Sequence, residues 1–410
     1  MKNKVSSITT SILFVVLLIV PTLLYFSVGE NTENALNEKR ELTELPVKLS
    51  NDYFAQLGSW YNDHAPYRIT LITLQKKINQ SYSATYRNKI HPLLSELFAP
   101  SWYKTAEYQK RTAGGLPYLA PIEESNVAYG RDNWLFYLGD NSVGYYNGTN
   151  LLSEEEKKER QTAFQELNNL CEKKGIKLVV FAAPNKEQVY SENMPSYYVY
   201  SEEKRELQFR EFMKDSGVIF LYPLEELISG KEYYDTYYQQ DTHWNYVGAY
   251  IGVSEIYKAL NMPFFPIQEI EIEKTEKTGG DLSNFCGYKT DYEDYKVEYK
   301  PEITVSSESF ENGNLEIYES SVPNNRKLVM ISDSFRSASK GFLTKDFSKS
   351  IILHQKMLEN EMTMNAVKEL SDGDVLLLLR VERYDNGLFS CAKRLVEVFE
   401  EDDNIELNLA

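Results

Sequence analysis

An α/β fold with a parallel sheet flanked by helices is what the sequence predicts, and three observations carry it. From Asn133 onward, short apolar runs of strand length alternate with stretches of helical periodicity. Several of those runs, Ile176–Ala183 above all, are apolar without alternation, as expected of strands covered on both faces. The composition is that of a globular protein, 42% apolar and 26% charged over 410 residues, enough for one large core or two modest ones.

The first element is Ile8–Val28, a run of 21 residues without a charge that follows Lys2 and Lys4. A helix of that length spans a bilayer core. Basic residues precede it and Glu30 and Glu33 follow, so the positive-inside tendency predicts a single-pass membrane anchor over residues 1–29, with the bulk of the chain outside the cytoplasm. A cleaved signal peptide ending at the small residues Ser27-Val28-Gly29 is the alternative. The run exceeds the roughly 7 to 15 apolar residues of a signal core, which favours the anchor.

Residues 30–129 read as a polar linker and a helical N-terminal region. Phe54, Leu57, Trp60 and Tyr61 recur at helical spacing and Leu71, Leu74 and Ile78 continue it, while Pro66 divides the pattern into two helices. Trp102–Val127 shows no periodicity and is expected to be irregular.

Residues 130–410 form the α/β domain. Trp134–Tyr137 predicts a short strand. Ser153–Lys174 predicts a helix with Ser153 as N-cap, Glu156 three residues on and Gly175 as its stop. Strands are expected at Ile176–Ala183, Val218–Tyr222, Arg326–Ser332, Ser350–His354 and Asp374–Arg380. Helices are expected at Glu203–Lys214 and Tyr246–Leu260, and between and after the last strands. Right-handed crossovers would gather the loops at the C-terminal ends of the strands, where such sheets carry their sites.

Lys and Arg number 44 against 61 Asp and Glu, a net charge of -17, which excludes a phosphate backbone as an attractive partner. Cys171, Cys286 and Cys391 stand far apart without metal-ligand spacing, so at most one disulfide is expected.

Only four histidines exist, and His243 is the one in a suggestive context. It lies in Gln240-Asp241-Thr242-His243-Trp244-Asn245, directly before a helix, and alternation in an extended loop turns Asp241 and His243 to the same side. A carboxylate there can fix the imidazole tautomer and stabilise its protonated form. A helix cap with a structural histidine, or a metal site, would use the same residues; no accompanying ligand cluster supports a metal. His64 and His91 read as structural and His354 as core. The nucleophile candidate is Ser334, in the turn Ser332-Asp333-Ser334-Phe335-Arg336, where a strand runs into a helix and exposes a hydroxyl. Ser332 belongs to the strand. Amides at Ser334 and Phe335 would serve an oxyanion at the helix N-terminus. Capping alone would equally explain these serines.

Together the motifs Gly130–Tyr137, Ala183-Pro184-Asn185-Lys186, Asp241–Asn245 and Ser332–Phe335 resemble the DHHW and AlgX/AlgJ-type proteins, which are SGNH-hydrolase-like and include the bacterial alginate O-acetylation proteins. Asn62–Arg68 and Gly280-Asp281-Leu282 add to the resemblance, which extends from about residue 38 to 390. It implies an SGNH-like catalytic domain in circularly permuted order and the triad Ser334, His243 and Asp241. It also implies O-acetylation of an exported polysaccharide, with acetyl groups supplied through a membrane-bound O-acyltransferase and no cofactor. Ser332 replaces the glycine usual before Asp-Ser, and the SGNH oxyanion Gly and Asn have no clear counterpart. Leu379–Arg383 occupies their place, so Arg380 or Glu382 is a candidate for lining the site, along with Phe335 and Arg336 beside the serine. A carbohydrate or lipid esterase, or a silent glycan-binding member of an export complex, are the alternatives. The 31 tyrosines, among them Tyr137, Tyr145, Tyr146, Tyr233, Tyr234, Tyr237 and Tyr238, suit glycan contacts or strand packing alike.

Overall fold

The computed structural model describes residues 44–47, 53–64 and 126–409, apart from 196, 197, 287 and 288. They belong to two compact units divided after Ala84. In the first, Tyr53–His64 is a helix, as its spacing predicts, and the buried His64 ring donates through Nδ1 to the Trp60 carbonyl at 2.8 Å. The apolar run Ile8–Val28, the helix predicted beyond Pro66 and His91 lie outside the described residues. Among the described residues no helix is long and apolar enough to cross a membrane.

The second unit is an α/β structure. Strands β1 (Val127–Tyr129) and β2 (Leu135–Tyr137) form an antiparallel pair. β3 (Lys177–Ala183) and β4 (Ile219–Leu221) belong to the main sheet, whereas β5 (Glu271–Thr278) and β6 (Asp291–Glu298) make a separate antiparallel ribbon. β7 (Val305–Phe310), β8 (Leu315–Ser320), β9 (Lys327–Ser332), β10 (Lys349–His354) and β11 (Val375–Val381) complete the main sheet, in the order β4-β3-β11-β9-β10-β8-β7.

Five of these strands are parallel, but β8 runs antiparallel to β10 and β7 to β8, so the sheet is mixed rather than wholly parallel. The reason lies in the chain between them. Glu311, Asn312 and Gly313 take positive φ of 50°, 55° and 83°, which turns β7 directly back on β8. Neither strand is apolar enough for burial on two faces: β7 is exposed nearly throughout.

All seven residues of β11 are buried at the centre of the sheet. Phe220 of β4 meets Phe164 of the helix Glu154–Lys173 at 6.4 Å, whereas Phe181 of β3, one step further along the register, meets Trp244 at 6.0 Å. Alternation along a strand therefore puts the helical layers on opposite faces. The helix Glu154–Lys173 begins with the predicted capping box: Glu156 N donates to Ser153 Oγ at 3.2 Å and Ser153 N to Glu156 Oε2 at 2.7 Å. All three cysteines are buried and free. The register pairs Ala183 with Val381 and Ser332 with Leu379, so β3, β11 and β9 end side by side.

Candidate active site

The turn that carries Ser334 is shaped by Asp333, which is buried at 3% exposure. Its Oδ1 accepts from the Phe335 amide at 2.9 Å, closing a turn around Ser334, and its Oδ2 accepts from the Val381 amide of β11 at 2.8 Å. The turn is thereby tied to the neighbouring strand and leaves Ser334 exposed. Ser332 is fully buried, its Oγ donating to the Leu353 carbonyl at 3.4 Å.

The histidine arrives on a loop folded back on itself. Tyr238 N donates to the His243 carbonyl at 3.2 Å and Asn245 N to Thr236 O at 3.1 Å. Asn245 caps the helix Tyr246–Ala259, its Oδ1 accepting from Gly248 N at 3.0 Å. The buried Trp244 indole donates to the Phe335 carbonyl at 2.9 Å, fastening this loop to the turn at Ser334.

His243 Nε2 lies 2.7 Å from Ser334 Oγ, and His243 Nδ1 lies 2.6 Å from Asp241 Oδ1. Ionised Asp241 only accepts, so Nδ1 carries the proton and Nε2 is left to accept from the serine hydroxyl. Asp241 Oδ1 also accepts from the His243 amide at 3.1 Å and Oδ2 from the Asp281 amide at 3.1 Å. Burial pushes the Asp241 pKa up, but the His243 ring and these two amides outweigh it and hold the carboxyl well below its usual range.

Two residues brace the loop from behind. Lys186, just past β3 and only 2% exposed, donates through Nζ to the carbonyls of Tyr238, Gln239 and Asp241 at 3.2, 3.1 and 2.6 Å. Burial lowers its pKa to about 7 against the opposing pull of Asp281 and Asp241. Asp281 accepts from Thr242 N at 2.7 Å and from Thr242 Oγ1 at 2.6 Å. Gly280 beside it lies so close to the loop that a Cβ would stand 2.5 Å from the Gln240 carbonyl and 2.6 Å from Asp241 Cβ.

Asp241, His243 and Asp281 are also the one cluster of metal-ligand type among the described residues. Their facing atoms are already engaged, His243 Nδ1 on Asp241 and both Asp281 oxygens on Thr242.

Of the further candidates, only Phe335 lines the cleft at Ser334. Its amide is spent on Asp333, so the expectation that it would hold an oxyanion is not met; its buried ring packs on His243 at 5.0 Å and Trp244 at 5.2 Å. Arg336 turns to the β7–β8 hairpin, donating to the Gly313 carbonyl at 2.8 Å. The Arg380 guanidinium lies against Gly387 of the helix Asp385–Leu409. Glu382 is buried beneath the strand ends, accepting from Asn185 N at 3.0 Å and Tyr222 OH at 2.6 Å, and burial pushes it up to about 7. None of these three touches the Ser334 hydroxyl: Arg336 and Glu382 are held by partners on other elements, and Arg380 lies against Gly387. His354 is half-buried and caps a turn, its Nδ1 accepting from Lys356 N at 3.2 Å. Among the tyrosines, Tyr145, Tyr146 and Tyr237 are buried, whereas Tyr238 lines the cleft.

Sequence reasoning gave no role to Asp333, Lys186, Asp281 or Arg383. Asn185-Lys186 and Gly280-Asp281 stood in the matched motifs, and a lysine directly after an apolar strand was the available signal. Arg383 donates through a guanidinium nitrogen to Asn185 Oδ1 at 2.9 Å, while its Nε and Asn185 Nδ2 are buried without a partner. Two unspent donors thus sit at the ends of β11 and β3. Ser334, His243, Trp244, Tyr238, Tyr246 and Lys277 border a cleft of about 240 Å³.

Fold and site together define an SGNH-hydrolase-like α/β protein carrying a Ser-His-Asp constellation. Residues 127–357, more than half of the chain, match the family described as SGNH hydrolase-like domain, acetyltransferase AlgX, and the chain belongs to that family. A similar solved structure is a DHHW family protein from Eubacterium siraeum DSM 15702, with 14% identity over 68% of this chain and 96% of that one, TM-score 0.44. Others are Bacillus cereus PatB1 with a sulfonyl adduct (16% identity, 64% and 96% covered, TM-score 0.45) and the O-acetyltransferase domain of Pseudomonas putida AlgJ (15%, 66% and 99%, TM-score 0.42). A search of curated protein sequences returns no match.

Proposed function

We propose that this chain is an O-acetyltransferase that acts on an exported cell-surface polysaccharide through an acetyl-serine at Ser334. The observation that carries this reading is the unbroken relay from Ser334 Oγ to His243 to Asp241, at 2.7 and 2.6 Å, opening on a cleft. His243 Nε2 takes the Ser334 proton as Oγ attacks an acetyl carbonyl, and returns it to the leaving group as the tetrahedral adduct collapses. The sugar hydroxyl then gives its proton to the same nitrogen, attacks the acetyl-serine and releases Ser334, which recovers the proton. Asp241 keeps Nδ1–H in place and stabilises the imidazolium. No cofactor takes part; the acetyl group comes from a donor or from a membrane-bound O-acyltransferase partner. The predicted anchor over Ile8–Val28 would hold the domain at the outer face of the membrane, where such a partner and an emerging polymer meet.

The test uses the chain from residue 31 with 4-nitrophenyl acetate as donor and glycans as acceptors. Ser334→Ala should lower ester turnover by roughly a thousandfold or more. Equal turnover by the variant removes Ser334 from the mechanism. An enzyme that delivers acetyl only to water, whatever acceptor is offered, is an esterase instead.

A further inference from the structure

The cleft at Ser334 does not end at its own walls. Tyr246 and Ala338 border it, and the same two residues border a second cleft of about 260 Å³. That second cleft continues along the nucleophile's helix, Arg336–Leu343, past Gly341 and Lys345, and is closed on the other side by Lys296 and Glu298 of β6 with Pro301 beyond them. From Ser337 to Leu343 the helix covers about 9 Å, longer than one sugar ring.

Resting on the acetyl-transfer reading, we infer that these two clefts form one groove, in which the sugars flanking the acetylated unit of the acceptor chain lie along the helix Arg336–Leu343. Continuity with the nucleophile's cleft identifies the occupant, since whatever fills the second cleft is joined to what Ser334 acts upon. The wall chemistry fits a glycan. Tyr246 stands at the junction with 43% of its surface exposed, and Phe342 braces it edge-on at 6.5 Å and 86°, presenting a fixed aromatic face to an apolar sugar face. The exposed Lys296 and Glu298 supply a donor and an acceptor for hydroxyls along the rim, and Lys277, its ammonium 3.5 Å over the Tyr238 ring, supplies a further donor beside Ser334. Gly341 is exposed, and a Cβ there would meet nothing within 4 Å, so the groove is open at its middle.

The experiment measures acetyl transfer from 4-nitrophenyl acetate to two acceptor series, N-acetylglucosamine and its β-1,4-linked hexamer, and a uronic acid and its β-1,4-linked hexamer. In a series that is acetylated, the hexamer should exceed its monomer about tenfold or more in kcat/KM. Gly341→Trp fills the groove from a helix position with free space around it. It should lower the hexamer-to-monomer ratio about tenfold, and Tyr246→Ala, which removes the platform, should lower it in the same direction. Where acetyl is transferred, a native ratio near one, or a ratio untouched by both variants, overturns the groove. Failure of the acetyl-transfer reading, which takes the groove with it, is seen separately, as acetyl delivered only to water with every acceptor or as ester turnover that survives Ser334→Ala.

Discussion

Asp241 uses its two oxygens for two tasks: one holds the His243 ring and amide, the other accepts the Asp281 amide and so fixes the carboxylate's own direction. Asp241→Asn keeps the shape but removes the ionised acceptor, and the imidazole then loses the tautomer that leaves Nε2 free. The expected result is a fall in kcat of roughly 10³ to 10⁴-fold with little change in KM, read from steady-state ester turnover. Lys186→Met would take one donor from three loop carbonyls, of which that of Gln239 keeps the Leu135 amide, and let the loop drift. A loss of kcat of about tenfold is expected, visible also as altered His243 ring resonances in NMR spectra. The three relay residues were legible because each stands in a local pattern, an alternating pair before a helix and a serine after a strand. Asp333 was not, because its partner is an amide of β11, 48 positions further along the chain.

Elements were legible in proportion to how strongly local chemistry specifies them. The helix Glu154–Lys173 announces its start through Ser153 and Glu156, and Ser153→Ala should cost about 1 kcal/mol in denaturant unfolding. The β5–β6 ribbon and the β7–β8 hairpin went unread because their strands are rich in charged and polar residues, β7 exposed nearly throughout and β8 half-buried, and polar residues on both faces mask the alternation. The ribbon's consequence for the site is large: the segment between β5 and β6 carries Gly280 and Asp281 against the Asp241 loop. Gly280→Ala sets a Cβ against backbone and should displace that contact. It should cost about 1 to 3 kcal/mol of stability and lower ester turnover, both measurable on the purified variant.

Over the whole molecule, the buried carboxyls set a pH dependence that net charge alone does not reveal. Burial raises Glu187, Glu206 and Glu382, the last to about 7 from an ordinary 4.5. In the window between those values the unfolded chain has released the Glu382 proton and the folded chain has kept it, so this contribution to stability falls as pH rises from about 4.5 to 7. Glu382→Gln should flatten that fall, seen as a smaller drop in Tm across the same window. Asp241 acts with the opposite sign, its stabilisation being present above the usual carboxylate range and lost in acid. Lys186, lowered to about 7, favours folding increasingly as pH climbs from there toward its ordinary 10.5. At this scale the α/β class was legible from alternating elements, but the mixed sheet was not, because strand direction is decided by the turn at Glu311–Gly313 and by pairing partners distant in sequence.

The strand at the centre of the sheet is the last one in the chain. β11 lies between β3, whose loop carries Lys186 against the His243 segment, and β9, which runs into the turn that holds Ser334. During synthesis, both halves of the relay emerge long before the strand that joins their sheet fragments. Closure of that gap requires pairing across a wide sequence separation, a slow step in folding. The Ser334–His243 contact thus waits until Val375–Val381 is inserted, and a nascent or C-terminally clipped chain holds Ser334, His243 and Asp241 without the strand that sets them side by side.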